Sequence, residues 1–348
     1  MSFKRLDPED VTISAESIVA PAWSNQITTL TAFYTSSQQP GSALGQYYQN
    51  VYNFDPADSG GTVAATSSIQ FSIAYGNYLG SGSQQISIVS GSSPSAINYG
   101  QYRTLVNGDE NTNFTFGTVT PQSIFVISVN RAKYKEKLLP GSFNLTLTSG
   151  SNTIKLTDNS KSVTAVSYVD AGRVFDIVSG SDGIAYTGVN TSGFSKASGS
   201  YGKFLPDVGT IILNGDALSG SYTAGNSFSG IGLPINQSSN ISTKINLDQM
   251  FNAIKIGGNF KLQSEETVSS NYVFVRVRNS EFNYSTNPSN ISGSGELRWD
   301  VMVNTPQAYI TTVGMYNDNN DLLGVAKLSK PLLKDFTKEA LVRIKLDY

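Results

Sequence analysis

Residues 309–348, YITTVGMYNDNNDLLGVAKLSKPLLKDFTKEALVRIKLDY, constrain the fold more than any other part of this chain. Residues 309–316 are rich in β-branched and aromatic side chains and read as a strand. Residues 317–321 are all Asn or Asp, which bond to nearby backbone and tolerate left-handed φ, so they read as a turn. Residues 322–328 form a second strand, and the pair is a hairpin with a longer-than-minimal loop. Residues 329–338 are expected to turn back around Pro331. Residues 340–346 then supply a last strand, Leu341, Ile344 and Leu346 alternating imperfectly with Arg343 and Lys345. A segment of this kind closes a sheet and ties the terminus down.

The rest of the chain repeats the pattern of short apolar runs between polar loops. Strands are expected at 27–35, 46–54, 68–75, 123–129, 143–148, 153–156, 163–168, 173–178, 260–263 and 272–277, with a short ISIV strand inside 80–95. Three helices are expected. In residues 95–106, Ile97, Gln101 and Leu105 are spaced four apart behind a Ser95 cap. Residues 130–139 combine good helix formers with an Asn130 cap and stop at Pro140-Gly141. Residues 246–256 carry a Leu247, Met250, Phe251, Ile254 stripe behind an Asn246 cap and end at Gly257-Gly258. The fold class is therefore β-rich α+β, with antiparallel, sandwich-like sheets and three short helices. Four segments are expected: an N-terminal arm (1–24) anchored by Phe3, Leu6 and Trp23, a β-rich domain (25–178), a Gly/Ser-rich, loop-dominated insertion (179–244), and a C-terminal α+β domain (245–348).

Composition narrows the chemistry. The 348 residues include no His and no Cys, which removes disulfides, thiolate nucleophiles, Cys-ligated metals and any Ser-His-Asp triad. Ser/Lys and carboxylate chemistry survive that argument. Glu265–Glu266 and Asp109–Glu110 are adjacent acids, but neighbours on a strand point to opposite faces and do not converge on one substrate. No Gly-rich stretch leads into the Gly-Lys-Ser/Thr of a P-loop. The Asn/Asp turn at 317–321 has Leu322 where an EF-hand needs Gly and Leu328 where it needs Glu. No catalytic, cofactor or metal residues are expected. Only 14% of residues are charged, against roughly 25% in typical domains, and the net charge is −2, so binding to nucleic acid has little electrostatic drive. No apolar run approaches the length of a membrane-spanning helix, and residues 1–10 lack the apolar core of a signal peptide. The 18 Tyr and 17 Phe, among them Tyr47, Tyr48, Tyr52, Phe71 and Tyr75, serve sheet packing and subunit contacts, or a sugar or protein ligand. Arg276 and Arg278 alternate with Val273, Val275 and Val277 and are placed to pair with a neighbouring subunit or to face solvent.

The stretch VGMYNDNNDLLGVAKLSKPLLKDFTKEALVRIKLDY (313–348) resembles the endings of bacteriophage tail and baseplate structural proteins. The shared elements are Gly-x-Tyr, an Asn/Asp turn, a leucine-rich strand and Lys-Leu-Ser-x-Pro. NYGQYRTLVNGDENTNFTFG (98–117), NRAKYKEKLLPG (130–141) and VRVRNSEFNYSTNP (275–288) are similar to virion proteins of T-even-like contractile-tailed phages, especially those of cyanobacteria. The resemblance implies a non-enzymatic, multi-copy baseplate-wedge or tail protein. Such a protein is assembled in the host cytoplasm, is homo-oligomeric within a symmetric particle and partners other tail proteins. The residues leave open a receptor- or carbohydrate-binding adhesin on the same virion. The arm and the loops at 80–95 and 280–296 are expected to make inter-subunit contacts.

Overall fold

The computed structural model describes residues 4–35, 47–56, 67–84, 93–117, 120–186, 201–220, 230–239 and 244–347. The expected ISIV strand and Phe3 lie outside these residues. In chain order the strands are β1 (Val11–Pro21), β2 (Thr29–Leu30), β3 (Tyr34–Thr35), β4 (Gln49–Tyr52), β5 (Ile69–Asn77), β6 (Ser123–Val129), β7 (Lys137–Leu138), β8 (Asn144–Ser149), β9 (Asn152–Asp158) and β10 (Ser167–Val169). They continue with β11 (Gly172–Ser181), β12 (Ile184–Ala185), β13 (Gly202–Leu205), β14 (Thr210–Asn214), β15 (Phe260–Lys261), β16 (Gln263–Val277), β17 (Gln307–Tyr316), β18 (Leu322–Asp335) and β19 (Ala340–Asp347). The α-helices are α1 (Pro94–Asn107), α2 (Gly215–Ser219), α3 (Ile245–Gly257) and α4 (Asp300–Asn304). The chain is β-rich α+β with antiparallel sheets, as its sequence predicts.

Two compact units divide it: Ile18–Glu266, and a smaller one made of Met1–Ser17 with Thr267–Tyr348. The four expected segments do not coincide with these units. Within 179–244, β13 and β14 are central strands of the larger unit's sheet and α2 packs on β6, while α3, just beyond this segment, packs on β8. The Gly/Ser-rich flanks hid how apolar the central strands are. The expected arm contains β1, which is a sheet strand beside β16.

The larger unit is one antiparallel sheet in the order β2-β15-β8-β9-β11-β13-β14-β6-β5-β4-β3. Its two outermost strands, β2 and β3, are separated in sequence only by Thr31, Ala32 and Phe33. Three residues span roughly 10 Å, so the chain draws the two edges together and the sheet must curl. Central strands are buried on both faces, and a continuous apolar run such as SIFVISV in β6 is the result. Phe125, Ile127 and Val129 point into the main core, together with Phe71, Phe143, Phe204, Phe260 and the α3 stripe Leu247, Met250, Phe251 and Ile254. Ile124 and Val126 point into a second core under α1, with Tyr99, Val106, Phe114 and Phe116. Gly258 closes α3 in the left-handed region (φ 64), as the paired glycines predict. A Cβ on Gly257 would lie 2.0 Å from the Thr146 carbonyl oxygen, so only glycine lets the helix end against β8.

Two of the three expected helices form, each with a corrected start. Ser93, not Ser95, caps α1, its Oγ accepting from Ala96 N, and Pro94 fills the first turn. The helix turns Tyr99 and Val106 inward and leaves Ile97 exposed, because the second core offers aromatic partners to Tyr99. Asn246 is not the cap of α3. It is buried in the first turn, where its side chain accepts from Asn236 N and donates to the Asn236 and Gly82 carbonyls. The third expected helix, at 130–139, is absent. Asn130 caps only a single 3-10 turn, Arg131–Lys133, after which Lys137–Leu138 pair with Ser264–Glu265. Burial of Tyr134 and Leu138 overrides the helix propensity of the intervening Lys and Glu residues. The short helices α2 and α4 were not foreseen.

In the smaller unit the strand order is β1-β16-β19, and β17 pairs with β18 as the expected hairpin. Contrary to expectation, β18 runs through Pro331 rather than turning there. Between the pairs Ile310↔Leu332 and Thr312↔Lys327 the register shifts, so Thr311 stands against residues 328–331. A proline has no N–H to give the ladder, and the bulge is where none is needed. β19 then lies along β16 from Val277↔Ala340 to Ser270↔Asp347.

Candidate functional site

The residues weighed in the sequence fall into structural roles. Lys135 pairs with Glu266 at 2.7 Å, and Lys137 lies 4.0 Å from Glu265. Asp109 accepts from Thr112 Oγ1 and from the backbone N–H groups of Asn111 and Thr112; bonding from the Thr112 hydroxyl leads the lowering of its pKa. Asn317 Oδ1 accepts from Asn319 N and Asp321 N, and its amide donates to Asp321, so the Asn/Asp run is a self-capped turn with Asn320 at φ 64. Among the described residues no three acidic groups gather as metal ligands. Tyr52, Phe71 and Tyr75 are buried, while Tyr47 and Tyr48 are half-buried. Arg276 pairs with Glu339 at 2.9 Å within its own unit.

Two polar clusters in the larger unit carry more chemistry. The first surrounds a cleft of about 170 Å³ lined by Thr29, Asn144, Thr146, Lys155, Asp182 and Lys261 among others. Ser181↔Ile184 pair around Asp182-Gly183, both at positive φ (53 and 81), in the geometry of a tight two-residue hairpin. Asp182 N donates to Asn144 Oδ1 at 2.6 Å, and the Asp182 carboxylate takes a 2.7 Å bond from Lys261, the main cause of its lowered pKa. The cleft is smaller than pockets that hold ligands, which run from about 300 Å³, and its acid is already neutralised; its work is to pin the hairpin.

The second cluster was not foreseen. Lys133 Nζ donates to Ser24 Oγ at 2.6 Å and Ser68 Oγ at 3.0 Å, and the two serine oxygens are 2.8 Å apart. Gln70 Nε2 donates to both, at 3.0 and 2.8 Å, while Gln70 Oε1 receives Ser24 N. Ser68 N donates to Asn53 Oδ1. No carboxylate forms an ion pair with Lys133 among the described residues, and burial pushes its pKa down. After Ser24 the backbone is left-handed at two successive non-glycine residues, Asn25 (φ 63) and Gln26 (φ 55). Such strain costs of order 1–3 kcal/mol per residue and gathers at functional sites. Buried Trp23 anchors the segment, its Nε1 donating to the Phe260 carbonyl at 2.8 Å. Ser24, Ser68 and Lys133 are dispersed in sequence, so periodicity and motif matching give no signal for them. Composition offers one pointer, a chain without His that still carries Ser and Lys.

A buried acid lies apart from both clusters. Asp158 Oδ2 accepts from Gly141 N at 2.8 Å and Ser160 N at 3.2 Å, whereas Oδ1 has no partner among the described residues. Burial pushes its pKa above the ordinary value of 3.8, against those hydrogen bonds. A raised folded-state pKa means that the stabilisation is full below the unfolded value and is lost as pH rises through the folded one. Asp158→Asn is therefore expected to gain in melting temperature relative to the parent between pH 4 and pH 7. A difference that stays flat across that range would show that burial does not raise the carboxyl's pKa.

No family model, curated protein or solved structure matches the chain. Among the described residues no helix is long and apolar enough to cross a membrane.

Proposed function

We propose that this chain is a structural assembly protein whose smaller unit makes the contacts with neighbouring subunits. The resemblance of residues 313–348 to phage tail endings supports a place in a contractile-tailed virion, as a baseplate-wedge or tail component among other tail proteins and further copies of itself. The observation that carries the assembly reading is how the smaller unit distributes its apolar side chains. Its buried hydrophobics among the described residues are Val273, Val277, Val342 and Ile344. Meanwhile Trp299, Val301 and Val303 around α4 and Tyr309, Leu323 and Val325 on the hairpin are each 58–69% exposed. So many exposed large apolar side chains over so thin a core support an interaction surface.

The test is incorporation into particles. In the variant Leu323→Lys/Val325→Lys the outward hairpin positions become charged while the inward Val313, Met315, Ala326 and Leu328 stay. The variant is expected to keep the parental circular dichroism and to be depleted at least tenfold, by mass spectrometry, from purified tails. Incorporation at the parental level would remove the hairpin from the interface. Absence of the parent protein from all tail subassemblies would end the virion reading, and a location at a fibre tip with glycan binding would favour the adhesin.

A further inference from the structure

We propose that Ser24, Ser68 and Lys133 form a serine acyl-transfer site in which Ser24 is the nucleophile and Lys133 its general base. This goes beyond the assembly reading and stands or falls separately from it. A serine hydroxyl is a weak nucleophile until an adjacent base takes its proton. In a chain without His, a lysine amine that has lost its proton is one side chain able to do so. Lys133 meets the geometric requirement, with Nζ 2.6 Å from Ser24 Oγ. Its surroundings act in the same direction: among the described residues its Nζ bonds only to the two neutral hydroxyls, and partial burial lowers its pKa.

The surroundings separate this cluster from an ordinary buried lysine. Gln70 holds both serine oxygens and the Ser24 backbone through one amide, so the nucleophile has a fixed rotamer and a fixed main chain. Ser68 Oγ touches Ser24 Oγ and Lys133 Nζ at once and can pass a proton between them. The left-handed pair Asn25-Gln26 turns the chain sharply away after Ser24, and Asn25, Gln26 and Ile27 are exposed beside it. An acyl group can therefore approach from solvent while Trp23 holds the preceding residue in the core.

The ligand class is an activated carboxylic ester or a similar acyl electrophile. Neutral Lys133 Nζ accepts the Ser24 Oγ proton as Oγ bonds to the acyl carbon. The tetrahedral adduct collapses with loss of the alcohol, which leaves with the proton that Lys133 then returns. Water attacks the acyl-Ser24 ester, Lys133 accepts a water proton, and the carboxylic acid departs as Ser24 Oγ is reprotonated. The sum is ester plus water giving acid plus alcohol, with no redox partner.

The probe is a fluorophosphonate, which phosphonylates activated serines with loss of fluoride. Full-length protein is expected to gain one adduct mass, mapped by peptide sequencing to Ser24, at a rate that rises with pH as Lys133 loses its proton. Lys133→Arg keeps N–H donors beside both serines but cannot act as a base near neutrality, so it separates chemistry from scaffolding. Its labelling rate is expected to fall about a hundredfold, the scale of general-base assistance. Labelling of Lys133→Arg at the parental rate would overturn the base assignment. No adduct on Ser24 in the folded parent, or an adduct mapped elsewhere, would overturn the site, and that arm needs no variant to fold.

Discussion

Phe260→Ala is expected to destabilise the larger unit by about 3–5 kcal/mol, the range for removing a fully buried aromatic ring. Phe260 has no exposed surface and stands where β15 pairs with β2 through Leu30 and with β8 through Leu145. Its ring meets Trp23 at 4.8 Å, Phe71 at 5.2 Å and Phe143 at 6.1 Å, all edge-on, so one truncation removes three aromatic contacts as well as the transfer energy. The cavity opens where the curled sheet draws its ends together, and the short β2 and β15 have little other pairing with which to close it. Trp23 reports the event directly. With the exposed Trp299 changed to Phe, urea unfolding followed by fluorescence reads the Trp23 environment alone. Phe260→Leu should lose a smaller part of that stability. A midpoint for Phe260→Ala within about 1 kcal/mol of the parent would mean that the aromatic cluster does not hold the sheet closed.

Truncation after Lys338 is the second change with a large expected effect. It removes β19, which makes eight register pairs with β16. It also removes Val342 and Ile344, two of the smaller unit's four buried hydrophobics among the described residues. β16 is left with an open edge and exposed apolar side chains, the combination that templates aggregation. Hydrogen exchange is expected to lose protection at 270–277 and through the β17–β18 hairpin, and light scattering should show aggregates. Strands β5, β6 and β14 should keep their protection, because no removed residue belongs to either core of the larger unit. Retained protection at 270–277 in a monodisperse truncated chain would show that β19 is dispensable.

Much of the fold could be read because local chemistry and tertiary context agree. The run at 123–129 is β6 to the residue, and the α3 stripe packs as its spacing predicts. The failures occur where they disagree. Residues 130–139 carry helix formers, but Tyr134 and Leu138 are claimed by the core and Lys137 by its ladder with Glu265. In α1 the four-residue spacing of Ile97, Gln101 and Leu105 was a coincidence of the exposed side, while Tyr99 and Asn98 took the inner one. Pro331 read as a turn because its missing N–H is visible in sequence and the bulge that absorbs it is not. The Ser24 cluster could not be read at all. Residues 24, 68 and 133 meet only through long-range pairing, and each alone resembles a dozen other polar residues of the chain. The adjacent acids at 265 and 266 are easier to notice, and both lie beside lysines.

The split of the smaller unit, with Met1–Ser17 on one side of the larger unit in sequence and Thr267–Tyr348 on the other, orders events during synthesis. Residues 11–17 leave the ribosome ahead of the larger unit and wait for their partner strand β16 while some 250 residues are added. At roughly 5–20 residues per second this takes on the order of ten to fifty seconds. Throughout that interval the hairpin with Leu323 and Val325 does not yet exist. A ribosome that stalls within that interval releases a chain without the exposed Leu323 and Val325. The exposed apolar hairpin therefore enters the chain only after every strand that lies wholly within the larger unit has been made.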